Sequence, residues 1–428
     1  MTHELTTLPN GMKVVTVPLR DRRSVSVGIW VHAGGRDESA KINGVSHFLE
    51  HLVFKGTATR SAAQIKEAVE GKGGSLNAFT SEEYTCFLAK ASSRHFQGVF
   101  DVLADMVLNA TLKEEDIQKE RTVVMEEIKM TQDQPGQLVE ELLSDQMWPT
   151  HALGRPLTGT LETVSGLTRD QIKDYRDRYY TPGLITLAAA GDIDHPYLLE
   201  VVDTVFRSVK NHAPKPFETF SGNGGRPKLL VHDKKTEQAH LTLGVHAFSK
   251  EHADEYTLDI LSVLLGGNMS SRLFNEVREE RGLAYDIGSS IRKYHDTGAF
   301  IVSAGVDSKK VVDAVALILK ELEKIAKTHP RADELERSKE FYLGQMDMGL
   351  ENGMNNMLWA GESVVTLGRC RTPEEIIRRI QAVTVADLSR VAAQLFLSRP
   401  ACLAIVGPGV SAPARKELES LIGLGGAH

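Results

Sequence analysis

The sequence has little cysteine. Only Cys86, Cys370 and Cys402 occur in 428 residues, and none of them belongs to a C-x-x-C pair. So few and scattered cysteines argue against a disulfide framework and against a zinc site built from thiolates. They are typical of a protein kept in a reducing compartment, and we therefore expect free thiols and a cytoplasmic location.

Long hydrophobic runs and an excess of positive charge are also missing. The longest apolar stretches, such as residues 184–191, are far shorter than the roughly 20 residues that cross a membrane. The N-terminus has neither signal-peptide nor transit-peptide character. Lys and Arg number 50 against 57 Asp and Glu, a formal charge of −7, whereas nucleic-acid-binding proteins normally have a basic surplus. We expect neither a membrane nor a nucleic acid as a partner.

The length and composition are those of a globular protein with two domains. Hydrophobic residues make up 41% and charged residues 25%, which is enough apolar material for packed cores. A stretch rich in proline and glycine near the middle is typical of a linker. We predict an N-terminal domain over residues 1–212, a linker over 213–227 and a C-terminal domain over 228–428.

The two halves repeat one order of elements. The tripeptide VHA at 31–33 recurs at 245–247, and each half closes on a buried-looking strand that ends in glycine, at Gly191 and Gly407. Both pairs are separated by nearly the same number of residues, which indicates a duplication. Neither half shows regular βαβ alternation, so we predict an α+β fold.

The stretch GVSHFLEHLVFKG, residues 44–56, brings His47, Glu50 and His51 within five positions. On a helix, residues i and i+4 project from nearly the same side, so both imidazoles can reach one ion. Two neutral histidines with a carboxylate and an open fourth position are typical of catalytic zinc. Glu50 projects beside them, where it could act as a general base.

A surface helix with two histidines placed by chance is the alternative interpretation. Two observations count against it. The trio is surrounded by apolar residues, which favours a half-buried helix that tolerates unpaired histidines poorly. The repeat also aligns the trio with Leu261, Leu264 and Leu265, so the second copy has apolar residues where the first has His, Glu and His.

A third metal ligand must come from another part of the chain. Residues 114–130 have a strongly helix-forming, acidic sequence. Glu120 and Glu127 are two turns apart and share a face, so one could bind the ion while the other orients a histidine. Helix geometry alone leaves Glu126 open as an alternative to Glu127.

These motifs resemble the pitrilysin-type zinc peptidases, or inverzincins, whose metal motif is H-x-x-E-H. Within that family the sequence is most similar to the branch of the mitochondrial processing peptidase β subunit and its bacterial relatives. One departure is Asn268, where relatives often have a third glycine. The resemblance covers nearly the whole chain and includes LPNGMKVV (8–15), GVSHFLEHLVFKGTATRS (44–61), GGSLNAFTSEEYTCF (73–87), ERTVVMEEI (120–128) and LLGGNMSSRLFNEVREERGLAY (264–285).

The resemblance implies a role for each residue of the metal motif. His47, His51 and Glu127 are expected to hold one zinc ion per chain, with Glu127 favoured over Glu126 by the family's spacing. Glu50 is expected to be the general base, and Glu120 is expected to support a histidine ligand.

The resemblance also implies the fold and the substrate contacts. Each domain is expected to be a largely antiparallel sheet with packed helices, and the second is expected to lack metal. That second domain supplies Arg278 and Tyr285 to the substrate, with Arg281 as the less favoured alternative to Arg278. The strand holding Asn77, Ala78 and Phe79 is expected to pair with the peptide as an added strand.

The resulting prediction is a zinc metalloendopeptidase that cleaves unfolded peptides or short extended segments in a bacterial cytoplasm. We expect a homodimer, with a heterodimer containing a related chain as the alternative. One rival is a non-catalytic structural subunit like the core proteins of a respiratory complex, against which the complete motif weighs. The other is a dedicated peptide-maturation protease that needs a partner chain.

Overall fold

The computed structural model describes residues 2–212, 217–222 and 228–423. Two mixed sheets with packed helices form its framework, which confirms the predicted α+β class. The strands are β1 Glu4–Thr7, β2 Lys13–Pro18, β3 Ser24–Val31, β4 Ser75–Thr80, β5 Thr85–Ser92, β6 Ile185–Gly191, β7 Lys228–Asp233, β8 Ala239–Ala247, β9 Ala284–Lys293, β10 Gly298–Val306 and β11 Ala401–Gly407.

Helices form before and after the strands of each sheet. In addition to short 3₁₀ turns, residues Phe274–Glu280 form a π-helix. The α-helices are α1 Val45–Val53, α2 Ala62–Glu70, α3 Phe96–Asn109, α4 Glu114–Asp133, α5 Pro135–Met147, α6 Leu161–Gly166, α7 Arg169–Tyr179, α8 His195–Phe206, α9 Glu255–Gly266, α10 Val311–Lys327, α11 Ala332–Leu350, α12 Gly353–Leu367, α13 Pro373–Ala382, α14 Val385–Phe396 and α15 Ala412–Leu421.

The first sheet has the strand order β1-β2-β6-β3-β5-β4. Only β2 and β6 run parallel, and the other pairs are antiparallel. Successive side chains of a strand point to opposite sides of the sheet, and the central strands β3 and β6 are buried on both faces because a core packs on each side. On β3, Ile29 faces the core that contains Phe48 of α1, while Trp30 faces a second core that contains Met357 of α12.

The second sheet has the order β7-β11-β8-β10-β9, again with one parallel pair, β7 and β11. Strand by strand it matches β2-β6-β3-β5-β4 of the first sheet, as expected for a duplication. On α9, Leu261, Leu264 and Leu265 are all buried. The helix that aligns with the metal motif therefore serves packing alone at those positions.

Contacts divide the chain into two compact units that do not follow the sequence order strictly. One unit comprises Met1–Ile128, Arg155–Glu218 and Asp347–Glu375, and the other comprises Lys129–Gly154, Thr219–Met346 and Ile376–His428. The first unit thus includes α12, which covers one face of its sheet, and the second includes α5, which packs on β8 and β11. Each unit takes one helix from the other half of the sequence.

The predicted linker lies partly outside the described residues, namely at 213–216 and 223–227. The domain boundaries at 212 and 228 stay a prediction. Within the described part of the chain, no helix is long and apolar enough to cross a membrane.

Candidate metal centre

A buried carboxylate fixes the start of α1. Glu38 accepts hydrogen bonds from the backbone N–H of Gly44 at 2.7 Å and of Ser46 at 2.8 Å, donors that a helix N-terminus leaves unpaired. Gly44 has φ +92°, and a Cβ there would lie 2.6 Å from the Thr158 carbonyl oxygen. Burial raises the pKa of Glu38 to about 7, and the two N–H donors oppose that rise. The metal motif therefore begins at a closely defined backbone position.

The apolar face of α1 determines where the three polar residues point. Its core residues are fully buried, namely Val45, Phe48, Leu49, Leu52 and Val53. The remaining face carries His47, Glu50 and His51, and the two imidazole centroids lie 4.8 Å apart. This arrangement follows from helical spacing, as predicted from the sequence.

Helix α4 brings Glu127 to the two histidines. One carboxylate oxygen of Glu127 lies 3.6 Å from His47 Nε2, and the other lies 3.6 Å from His51 Nε2. Ligand atoms of the three residues all lie within 4.8 Å of one another. Glu126 is exposed. The three residues expected to bind zinc are therefore neighbours in space.

Burial keeps His47 neutral. Its pKa falls to about 4, first because the ring is removed from water and second because His51 lies close. A neutral imidazole has a free nitrogen lone pair, which is the form that binds a metal ion.

Glu120 lies two turns before Glu127 and touches the back of the second histidine. Its Oε2 is 3.3 Å from His51 Nδ1, and its Oε1 is 2.6 Å from the Nζ of Lys55. A carboxylate on the far nitrogen of a ligating histidine fixes the ring and its tautomer. The contact with Lys55 was not predicted from the sequence, although Lys55 lies only four residues after His51.

Glu50 makes a short hydrogen bond to the strand that flanks it. The Thr80 hydroxyl donates to Glu50 Oε2 at 2.6 Å. Burial raises the pKa of the Glu50 carboxyl, and the hydrogen bonds from Thr80 oppose that rise. The role of Thr80 was not predicted from the sequence, although the strand residues just before it were expected to bind substrate.

Strand β4 is an edge of its sheet, as expected, and pairs with β5. The Ala78 N–H donates to the side-chain oxygen of Asn77 at 2.9 Å. The Phe79 ring packs edge-on against Trp30, with centroids 5.6 Å apart. The Phe79 ring is therefore held in the packing of the sheet.

Arg278 and Tyr285 belong to the second unit. Arg278 lies in the π-helix, and Tyr285 is the second residue of β9 and 73% exposed. The Arg278 guanidinium carbon lies 5.6 Å from the Tyr285 ring centroid and 4.6 Å from that of Phe274. Arg281 is exposed. The substrate roles implied for these residues stay predictions.

Comparison with known proteins identifies the family. A model described as Insulinase (Peptidase family M16) matches residues 13–161, and one described as Peptidase M16 inactive domain matches residues 166–342. A Streptomyces coelicolor protein named as an uncharacterized zinc protease is 38% identical over 411 residues, which are 94% of this chain and 89% of that protein. This chain belongs to the peptidase M16 family. The pitrilysin-type resemblance is thereby confirmed.

Further proteins are similar to this chain over nearly its whole length. A Bacillus subtilis protein, also named as an uncharacterized zinc protease, is 37% identical over 95% of this chain and 99% of its own length. A solved protease from Helicobacter pylori superposes with a TM-score of 0.89 at 26% identity, covering 95% of this chain and all of that one. A Pseudomonas fluorescens structure, titled as a peptidase M16 inactive domain, has a TM-score of 0.90 at 17% identity over 96% and 99% of the two chains, and it shares the fold.

Proposed function

We propose that this M16 chain is a zinc-dependent endopeptidase that hydrolyses unfolded peptides or short extended segments. The observation that carries the proposal is the convergence of His47, His51 and Glu127, whose ligand atoms lie within 4.8 Å of one another. Glu50 lies on the same helix and is held by a hydrogen bond. The names of the relatives, zinc proteases from several bacteria, support the same conclusion.

The donor set fits zinc in chemistry and in spacing. Ligands bound to tetrahedral zinc at roughly 2.0–2.1 Å stand about 3.3 Å apart. The two contacts of Glu127 with the histidines, at 3.6 Å each, are near that separation and too long for good hydrogen bonds. We therefore propose one zinc ion per chain on His47, His51 and Glu127.

Bound zinc would supply a water molecule that is acidic enough to attack an amide near neutral pH. In this proposal Glu50 accepts the proton from the attacking water. Glu50 then returns the proton to the departing amine nitrogen, so that one water is consumed and one peptide bond is broken. Glu120 and Lys55 keep the His51 ring in one orientation during these steps.

The edge of β4 is the proposed substrate-binding strand. The stretch formed by Asn77, Ala78 and Phe79 would pair with an extended peptide through those of its backbone groups that face the open edge, which gives affinity with little demand on sequence. Since the Ala78 N–H is covered by the Asn77 side chain, the peptide would displace that contact. In the second unit, Arg278 would hold a substrate carbonyl and Tyr285 would donate to the developing oxyanion.

We also propose that the chain forms a homodimer and is cytoplasmic. Both the metal-binding set and the Arg278–Tyr285 pair occur on one chain, which favours a homodimer over a heterodimer with a related chain. The cysteines, Cys86, Cys370 and Cys402, are free and buried, which supports a reducing, cytoplasmic location. The molar mass in solution, measured by light scattering, tests the homodimer.

The function is tested with a mixed peptide library, purified chain and mass spectrometry, with and without a chelator. We expect about one zinc per chain, cleavage that stops on chelation, and recovery when zinc is restored. Glu50→Gln should keep the zinc and lose cleavage. Full activity in that variant would remove the mechanism, and a chain that binds no zinc would favour the structural-subunit alternative.

A further inference from the structure

We propose that Thr80 is the positioning residue of the general base, holding the Glu50 carboxylate toward the scissile bond. The inference rests on the proposed function. It starts from one contact, the 2.6 Å hydrogen bond from the Thr80 hydroxyl to Glu50 Oε2. An O–H group that donates to a carboxylate at this distance makes one of the stronger side-chain hydrogen bonds, roughly twice a neutral one.

A free glutamate side chain is a poor candidate for a well-aimed base. It rotates about three bonds, and a misplacement of about 1 Å from the productive geometry can cost a hundredfold in rate. Because Thr80 donates to Glu50 Oε2 from its hydroxyl, and also to the Glu50 carboxyl from its backbone N–H, the rotation of the Glu50 side chain is restricted. The hydroxyl thus helps to hold the carboxylate in one orientation.

Strand geometry explains why residue 80 can make this contact. Side chains alternate along β4, so Leu76, Ala78 and Thr80 point to one face of the sheet. Leu76 and Ala78 pack against the core that contains α1, the helix of Glu50, whereas Phe79 packs with Trp30 on the opposite face. Threonine is also β-branched, which restricts the rotation that would carry the hydroxyl away.

The contact connects two parts of the proposed mechanism. Thr80 is the last residue of β4, the edge strand proposed to pair with the peptide. The same strand would therefore set the position of the substrate backbone and, through Thr80, the position of the base. We infer that β4 sets the distance between the base and the scissile bond.

The test compares three purified variants with wild type and Glu50→Gln, using a peptide found in the library screen. Thr80→Val keeps the shape and removes the hydroxyl, and Thr80→Ser restores a hydroxyl. The matched control is Thr85→Val on β5, directly opposite Thr80, because the Thr85 hydroxyl donates to the Ala33 carbonyl at 3.0 Å and not to Glu50. Each variant is measured for kcat, KM, zinc content and melting temperature.

We expect Thr80→Val to lower kcat by roughly 10- to 100-fold, the usual cost of removing a supporting partner. KM should change by less than about threefold, and zinc content should not change, because the loss falls on the chemical step. Thr80→Ser should recover most of kcat, and Thr85→Val should keep the wild-type kcat. This pattern would support the positioning role of Thr80, because a loss of stability alone would not lower kcat in Thr80→Val while sparing it in Thr80→Ser and Thr85→Val.

Three results would overturn the role of Thr80 and leave the proposed function intact. They are a wild-type kcat in Thr80→Val, an equal loss in Thr80→Val and Thr80→Ser, and a loss of zinc in Thr80→Val. Wild-type protein that cleaves nothing, or Glu50→Gln that cleaves normally, would overturn the proposed function and this inference together.

Discussion

At the scale of single residues, the sequence predicts which side chains of the candidate metal site lie together where their spacing is short. His47 and His51 are four residues apart on one helix, and a helical repeat alone aligns them. Glu127 could not be separated from Glu126 by helix geometry, and the structure separates them because only the Glu127 carboxylate lies between the two rings. Lys55 and Thr80 were missed because their hydrogen-bond partners belong to other elements.

The assignment of Glu127 predicts a contrast between two neighbours on α4. Glu127→Gln should weaken zinc binding by more than the roughly 10- to 100-fold cost of losing a supporting group. Glu126→Gln is the matched control, since Glu126 is exposed one residue away, and it should bind zinc like wild type. Zinc affinity is measured by competition with a coloured chelator. A stronger loss in the Glu126 variant would mean that the ligand is misassigned.

The contact between Lys55 and Glu120 predicts an effect on metal affinity from a residue that does not touch the metal. Lys55→Met removes the charge 2.6 Å from Glu120 Oε1, so Glu120 should hold the His51 ring less firmly. We expect zinc affinity to fall about tenfold, with Lys55→Arg losing less. The same chelator competition measures the zinc affinity. An unchanged affinity in Lys55→Met would show that Glu120 holds the His51 ring without the contact to Lys55.

At the scale of elements, the sequence predicted helices and strands at the motifs, but it did not predict which sheet every helix packs on. The edge strand β4 and the helices α1 and α4 lie where the motifs placed them. The partners of α5 and α12 were not predictable, because an amphipathic pattern shows that a helix needs an apolar surface without showing which sheet provides it. Both helices pack on a sheet made mostly from the other half of the sequence.

The edge of β4 gives a prediction about substrate binding. Ala78→Pro removes the N–H that now donates to Asn77, and proline is tolerated at a sheet edge where the N–H is not in the ladder. We expect KM to rise about 2- to 13-fold, because one backbone hydrogen bond to the peptide is worth roughly 0.5–1.5 kcal/mol. Steady-state kinetics measure the change, with zinc content and melting temperature as controls. An unchanged KM would indicate that the peptide does not pair with β4 at Ala78.

The capping of α1 by Glu38 gives a prediction about stability. Glu38→Ala leaves the N–H groups of Gly44 and Ser46 buried without an acceptor. We expect the free energy of unfolding to fall by about 1–3 kcal/mol. Urea denaturation measures it, and Glu67→Ala on the exposed side of α2 serves as a control. Equal stability of the two variants would show that the cap contributes little.

At the scale of the whole molecule, each compact unit contains a helix from the other half of the sequence, and we expect the two halves to depend on each other for folding. In a fragment of residues 1–222, α12 is missing and one face of the first sheet is uncovered. That face contains a fully apolar cluster, namely Val15, Val17, Trp30, Ala188 and Ala190. A sheet with such a face open to water is expected to aggregate or to lose fixed packing.

This dependence is tested by expressing residues 1–222 alone and together with residues 223–428. We expect the fragment alone to lack near-ultraviolet circular dichroism and a cooperative unfolding transition. Co-expression should restore both, because α12 is then supplied. A fragment that folds cooperatively alone would contradict the contribution of α12 to the first unit.

We propose that one zinc ion is bound by two imidazoles of α1 and one carboxylate of α4. Anomalous diffraction at the zinc edge, from crystals of the Glu50→Gln variant grown with zinc, tests it most directly. We expect a single strong peak per chain at about 2.0–2.2 Å from His47 Nε2, His51 Nε2 and a Glu127 oxygen. A peak at other residues, or the Glu127 carboxylate turned away from both rings in the presence of zinc, would contradict it.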